Sequence, residues 1–111
     1  MPYDEDLANR LRELLAGEEA AITEKQMFGG LAFLYHGHMS VSASGRGGIL
    51  ARIDPADTDA ALERPHATRM EMGGRSMDGW IRVAPEGIRT KRELGPWVKR
   101  SLAYVKTLPP K

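Results

Sequence analysis

The sequence predicts an α+β domain in which an antiparallel β-sheet meander is packed by an N-terminal helix, a short middle helix and a C-terminal helix. Leucines recur at helical spacing near the start, glycine-bounded β-type runs follow, and a second helical stripe comes near the end. The 111 residues, of which 41% are hydrophobic and 28% charged, suit one domain over residues 1–111, because two cores would each bury too little surface.

The first helix is predicted from an apolar stripe that begins at Tyr3. The stripe continues through Leu7, Leu11, Leu14 and Leu15. Three acidic residues, 4–6, fall in the first turn, where the helix dipole favours negative charge, and Gly17 is a natural stop. We therefore expect this helix to lie on the core by its leucine face.

The meander is predicted between Thr23 and Ile53. Its strands are expected at 31–35, 38–43 and 49–53, with turns at His36-Gly37 and at 44–48. Short runs joined by tight, glycine-containing turns are typical of three or more antiparallel strands.

Two further segments follow the meander. Asp54-Pro55 opens the short middle helix, because aspartate suits the N-cap and proline the first helical position, and Arg64-Pro65 ends it. The runs 69–72 and 80–83, on either side of a Gly73-Gly74 turn, suit an antiparallel pair added to the sheet.

The C-terminal helix has two candidate starts. Residues 90–93 have the form of a capping box, whereas Gly95-Pro96 offers a competing start at Pro96. Beyond either start, one apolar face is traced by Trp97, Val98, Ser101, Leu102 and Val105.

Composition excludes several classes of protein. The absence of cysteine excludes a disulfide scaffold, a thiolate zinc site and a cysteine nucleophile. No apolar run approaches the roughly 18 residues that a membrane helix needs. Residues 1–6 are acidic, unlike a secretory signal, so we expect a cytoplasmic protein with no membrane partner.

Charge is divided unevenly along the chain. Residues 1–63 carry five basic and eleven acidic side chains, net −6, and residues 64–111 carry eleven basic and four acidic ones, net +7. Such asymmetry indicates an anionic partner or an acidic N-terminal helix that lies near a basic C-terminal one.

The candidate contact residues, for nucleic acid or a protein partner, are Arg92, Lys99, Arg100 and Lys106. Three of them, at 92, 99 and 106, are seven apart and share a helix face, so they could follow phosphates; an ordinary solvated helix surface explains them equally well. Trp80 and Trp97 could stack on bases if exposed, but each lies on an apolar stripe typical of a core.

A metal site at His36 and His38 is a weaker alternative. One residue separates them, and on a strand this puts both imidazoles on the same face, where zinc, nickel or copper could bind. No cysteine is available and His66 is far along the chain, so the pair is also explained by a hairpin turn at Gly37.

Other chemistry has little support in the sequence. The glycine pairs lack the Lys-Ser or Lys-Thr of a P-loop and the dinucleotide fingerprint. The serines at 40, 42, 44, 76 and 101 lack a G-x-S-x-G context. We expect no cofactor and no enzymatic activity.

Four blocks of sequence resemble the N-terminal domain of the TfoX/Sxy family. They occur in the family's order, and together they span nearly the whole chain. They are Met27-Phe28-Gly29-Gly30-Leu31-Ala32-Phe33, Gly37-x-Met39, Met77-x-Gly79-Trp80-Ile81-x-Val83 and Trp97-Val98-x-x-Ser101-Leu102-Ala103-Tyr104-Val105.

The resemblance implies a small α+β fold and a regulatory rather than a catalytic role. The family's namesake regulates natural competence and assists transcription with an activator of the cyclic-AMP-receptor type, so the implied partners are the transcription machinery and nucleic acid. The full regulators carry a second, helical domain, whereas we expect a stand-alone domain here. The resemblance carries no catalytic or ligand residues.

A self-associating interaction module is the second hypothesis. Glycine-bounded strands could pair at a sheet edge, and methionine adapts to irregular contacts, although core packing explains the same residues at 39, 70, 72 and 77. We therefore expect either a monomer or a homodimer.

Overall fold

The structure is a computed structural model that describes residues 3–27 and 29–110, apart from the side chain of Met72. Phe28 of the predicted Met-Phe-Gly-Gly block lies outside the described residues. The helices are α1 (Glu5–Leu14), α2 (Thr58–Leu62) and α3 (Lys91–Val105), and the strands are β1 (Ile22–Met27), β2 (Gly30–Tyr35), β3 (His38–Ala43), β4 (Ile49–Arg52), β5 (Ala67–Met72) and β6 (Arg75–Val83). The predicted α+β class and all three predicted helices are confirmed.

The strands form one antiparallel sheet in the order β1-β2-β3-β4-β6-β5. The three strands predicted for the meander correspond to β2, β3 and β4, and the predicted later pair joins the same sheet. Within that pair, β6 lies beside β4 and β5 is at the edge, because α2 carries the chain past β4 before β5 begins.

The sequence indicates a β region from Thr23 but does not indicate β1 as a strand. Only Ile22 and Met27, at its ends, are half-buried, and the four polar residues between them are exposed, so β1 has no apolar alternation to reveal it. A charged, exposed strand is typical of a sheet edge that resists pairing with another chain.

The two faces of the sheet have different surroundings. The core face carries Leu31, Phe33, Val41 and Ile81, which join one buried cluster with residues of α1, α2 and α3. The alternate residues form the open face, which we define by the cross-strand row Ala32, Ser42, Leu50 and Arg82. All three helices therefore pack on the core face.

A break in β6 bends the last hairpin. Arg69 pairs with Ile81 but Met70 pairs with Met77, so residues 78–80 of β6 have no partner on β5. At the break, Gly79 has φ +82, its N–H donates to Thr58 Oγ1 at 2.7 Å and its carbonyl accepts from the Ile53 N–H at 2.7 Å. These bonds fix the break, and an irregularity of this kind bends the strand that contains it.

Side-chain caps decide where the long helices begin. Asp4 accepts from the N–H groups of Asp6 and Leu7 at the start of α1, and Thr90 Oγ1 accepts from the Glu93 N–H at 3.2 Å at the start of α3. The capping box is thus the true start of α3, and Pro96 lies inside the helix. Within the described parts of the chain, no helix has the length and apolar character needed to cross a membrane.

Candidate functional site

The helix α3 presents a basic surface opposite its packed side. Its buried residues are Leu94, Trp97, Val98, Ser101 and Val105. At 100° per residue, the opposite side is occupied by Arg92, Pro96, Lys99 and Ala103, all exposed, and we call these four the outer face of α3. With two cations and no carboxylate among its four residues, this face is positively charged.

Three of the four predicted contact residues have no acidic partner within the described parts of the chain. No carboxylate among residues 3–27 and 29–110 lies within 4.0 Å of Arg92, Lys99 or Arg100. Arg100 flanks the outer face with its guanidinium 5.8 Å from the centroid of the Trp97 ring. Arg92 and Lys99 are separated along the helix axis by about 10 Å, roughly three base-pair steps of a duplex.

The fourth predicted residue, Lys106, has a different environment. Its ammonium donates to Glu18 Oε2 at 2.6 Å and lies 5.9 Å from the Tyr35 ring. The hydrogen bond to Glu18 raises the pKa of Lys106 above its ordinary value. Its charge is therefore partly neutralised by the acidic N-terminal segment.

A second ion pair joins the same two regions, because Lys91 at the start of α3 donates to Glu13 of α1. The interpretation that the acidic N-terminal part lies near the basic C-terminal helix is thus confirmed for Lys91 and Lys106. In the described residues, the cations of the outer face of α3 and Arg100 form no such ion pair with the acidic N-terminal part.

Several of the other basic residues serve the fold. Arg10 donates to the carbonyl oxygens of Ile88 and Arg89, both at 2.9 Å, and so ties α1 to the segment that precedes α3. Arg12 holds Glu24 of β1 by two hydrogen bonds of 2.7 and 2.8 Å, which lower the pKa of Glu24. These cations hold α1 against its neighbours.

The structure separates the two histidines proposed as a metal pair. β2 ends at Tyr35, and His36 lies in the turn with φ +48, so the expectation that both imidazoles share one strand face is wrong. His38 Nε2 is 2.6 Å from the Pro109 carbonyl oxygen, to which it must donate. In the described part of the chain, no group of three or more histidine or acidic residues is arranged to hold a metal ion.

Two of the serines considered as nucleophiles form a buried structural contact. Ser40 and Ser101 are both 0% exposed, and their hydroxyl oxygens are 2.6 Å apart. Ser101 also donates to the Ser40 carbonyl oxygen at 2.8 Å. The pair fastens α3 to β3 and is closed to a substrate.

The two tryptophans differ in exposure. Trp97 is 5% exposed and belongs to the core, as predicted. Trp80 is half-buried, and the Arg52 guanidinium lies 5.2 Å from its ring centroid and 5.5 Å from that of Tyr104. Arg52 is not recognisable from the sequence, because its contact with Trp80 depends on the register between β4 and β6.

Comparison with known proteins gives a match to a family. The family model described as the TfoX N-terminal domain matches residues 13–105. No curated protein and no solved structure matches the chain.

Proposed function

The chain belongs to the TfoX N-terminal domain family, and we propose that it is a non-catalytic regulatory domain that contacts nucleic acid through the outer face of α3 and Arg100. The observation that carries the proposal is the set of three cations, Arg92, Lys99 and Arg100, without an acidic partner in the described residues. Phosphate groups are the ligands that such cations bind with release of counterions. A protein of the transcription machinery is a further partner in this proposal.

The non-catalytic part of the proposal has two supports. The TfoX N-terminal domain family is not a known enzyme family. In the structure, the Ser40 and Ser101 hydroxyls are buried and bonded to each other, and His38 is bonded to a backbone carbonyl. The proposed role places the domain in the cytoplasm, where a regulator of this type meets nucleic acid.

Charge reversal of the three cations tests the proposal. The variant Arg92→Glu/Lys99→Glu/Arg100→Glu and the unchanged protein are titrated into labelled duplex DNA and single-stranded RNA, with fluorescence anisotropy read at several salt concentrations. Loss of three phosphate contacts is expected to reduce the slope of log affinity against log salt by about 2.7 for duplex DNA and about 2.1 for a single strand.

The matched control reverses three exposed cations outside α3, Lys25→Glu/Arg46→Glu/Arg75→Glu, with the same change of net charge. The control is expected to bind more tightly than the α3 variant and to keep most of the salt slope. Equal losses in both variants would show a general effect of net charge and would contradict the proposed surface.

The strength of binding tests the partner class. Affinity tighter than about 1 µM at physiological salt supports direct contact with nucleic acid, because non-specific complexes typically have Kd values of about 10⁻⁴ to 10⁻⁶ M. Binding that occurs only at low salt would contradict the proposed contact with nucleic acid. Sedimentation equilibrium on the same samples would then distinguish the self-associating module from a domain with a different protein partner.

A further inference from the structure

The open face of the sheet contains a cavity of about 300 Å³ that is independent of α3. Its floor is the row Ala32, Ser42 and Leu50 on neighbouring strands, which are 0%, 6% and 7% exposed. The helices of the described chain pack on the other face, and strand and loop residues of the open face line the cavity around these three residues. The volume is at the lower end of the range for sites that hold small organic ligands.

The bent hairpin forms one wall of the cavity. Met70, Glu71 and Gly73 lie beyond the break in β6 and line it, with Met70 7% exposed. Met27 of β1 and Met39 of β3 also line it. Methionine has a flexible, polarisable side chain that adapts to apolar ligands of irregular shape, so three methionines give the cavity an adaptable apolar lining.

Two cations and two hydroxyls line the same cavity. Arg82 of β6 and Arg46 of the β3–β4 loop contribute guanidinium groups, against the single carboxylate of Glu71. Arg82 reaches the Ser44 hydroxyl over a long 3.4 Å, and no carboxylate in the described residues pairs with either arginine. Ser42 Oγ forms one hydrogen bond within the described chain, at 3.5 Å, so its hydroxyl is also weakly engaged.

We propose that this cavity binds a small organic anion with an apolar body, its carboxylate, sulfonate or phosphate held by Arg82 and Arg46 and its body packed on the methionines. Guanidinium groups form their strongest hydrogen bonds with such oxyanions. The cavity is too small for a macromolecule, and its excess of positive charge selects an anion over a neutral or cationic molecule of the same shape. The proposed ligand site lies on the side of the sheet away from α3.

The probe is 8-anilinonaphthalene-1-sulfonate, an amphipathic anion, compared with N-phenyl-1-naphthylamine, which has the same ring system without the sulfonate. Both are titrated by fluorescence into the folded protein, whose cooperative unfolding is checked on the same samples. The sulfonate is expected to bind at least tenfold more tightly than the neutral amine. Equal affinities would overturn the proposal, because the arginines would then have no part in recognition.

Methionine methyl NMR locates the bound probe. The methyl signals of Met27, Met39 and Met70, which line the cavity, are expected to shift with the sulfonate. Binding of the sulfonate with no shift at any of these three methyl groups would place the probe elsewhere and overturn the assignment.

Charge-neutral variants test the two arginines. Arg46→Gln/Arg82→Gln is expected to weaken sulfonate binding about tenfold and to leave the neutral amine unaffected. Arg46→Gln alone, in the exposed β3–β4 loop, is expected to weaken sulfonate binding about threefold. This single variant provides the test if the double variant does not fold.

A matched control, Arg64→Gln/Arg89→Gln, makes the same change of net charge at two exposed arginines that do not line the cavity and should keep full sulfonate affinity. The α3 charge-reversal variant should also keep full affinity for the sulfonate. The ligand site and the proposed nucleic-acid surface can therefore be confirmed or contradicted separately. Unchanged affinity in both Arg46 variants would overturn the site.

Discussion

Replacement of Ser101 by alanine tests whether the hydroxyl pair between α3 and β3 stabilises the fold. Ser101 Oγ donates to the Ser40 carbonyl oxygen at 2.8 Å and is 2.6 Å from Ser40 Oγ, and both residues are 0% exposed. Since the Ser101 hydrogen is used on the carbonyl, Ser40 Oγ is the donor of the second bond. Ser101→Ala therefore removes both bonds and leaves the Ser40 hydroxyl buried without a partner.

The two single variants should differ in cost. Each lost hydrogen bond is worth about 1 kcal/mol, and a buried polar group left without a partner costs about 1–3 kcal/mol. Ser101→Ala is thus expected to lower the free energy of unfolding by about 3 kcal/mol. Ser40→Ala loses one bond but keeps the Ser101 hydroxyl on the Ser40 carbonyl, so about 1 kcal/mol is expected.

Urea denaturation measures the free energy of unfolding of the single variants and of Ser40→Ala/Ser101→Ala. The double variant should cost less than the sum of the singles, because it contains no orphaned Ser40 hydroxyl. Equal single costs, or a larger cost for Ser40→Ala, would refute the assignment of donors and acceptors.

Two further predictions concern the backbone and the α1–β1 contact. Gly48→Ala places a Cβ 2.1 Å from the Val83 carbonyl oxygen at φ +73 and should lower the free energy of unfolding by about 3 kcal/mol or more. Gly17 also has a positive φ but lies in open space, so Gly17→Ala should lower it by about 1 kcal/mol. Thermal denaturation of the two variants measures this difference. Arg12 lowers the pKa of Glu24, so the pair adds stability above the ordinary value of 4.5 and loses it as pH falls through the lower folded pKa. Glu24→Gln should therefore cost about 0.5 kcal/mol at neutral pH and nothing well below pH 4.5, and a constant cost across this range would contradict the ion pair.

Local sequence signals predicted most elements of the fold. The leucine stripe of α1, the Asp54-Pro55 start before α2 and the tight turns of the meander depend on neighbours within a few residues, and the structure contains each of them. The start of α3 remained open in the sequence, because capping boxes and prolines are both local start signals. The structure begins α3 at the capping box and holds Pro96 within it.

Features that depend on contacts between residues far apart in the sequence were harder to predict. β1 has no apolar alternation, and the position of β6 beside β4 depends on pairing across α2. The outer face of α3 follows from helical periodicity alone, so Arg92 and Lys99 were predicted as neighbours on one face. The ion pair of Lys106 with Glu18 joins residues 88 positions apart and could not be seen in the sequence.

Periodicity, caps and turns act over a few residues, so the amino-acid sequence alone predicts the α+β class, the three helices, most of the strands and the basic face of α3. The folded structure was needed to establish which cations are neutralised, where His36 lies relative to His38, and that the last hairpin lines the same cavity as Ala32, Ser42 and Leu50 on the open face. These outcomes depend on register and on contacts between distant segments. Such contacts form only when burial of the core brings those segments together.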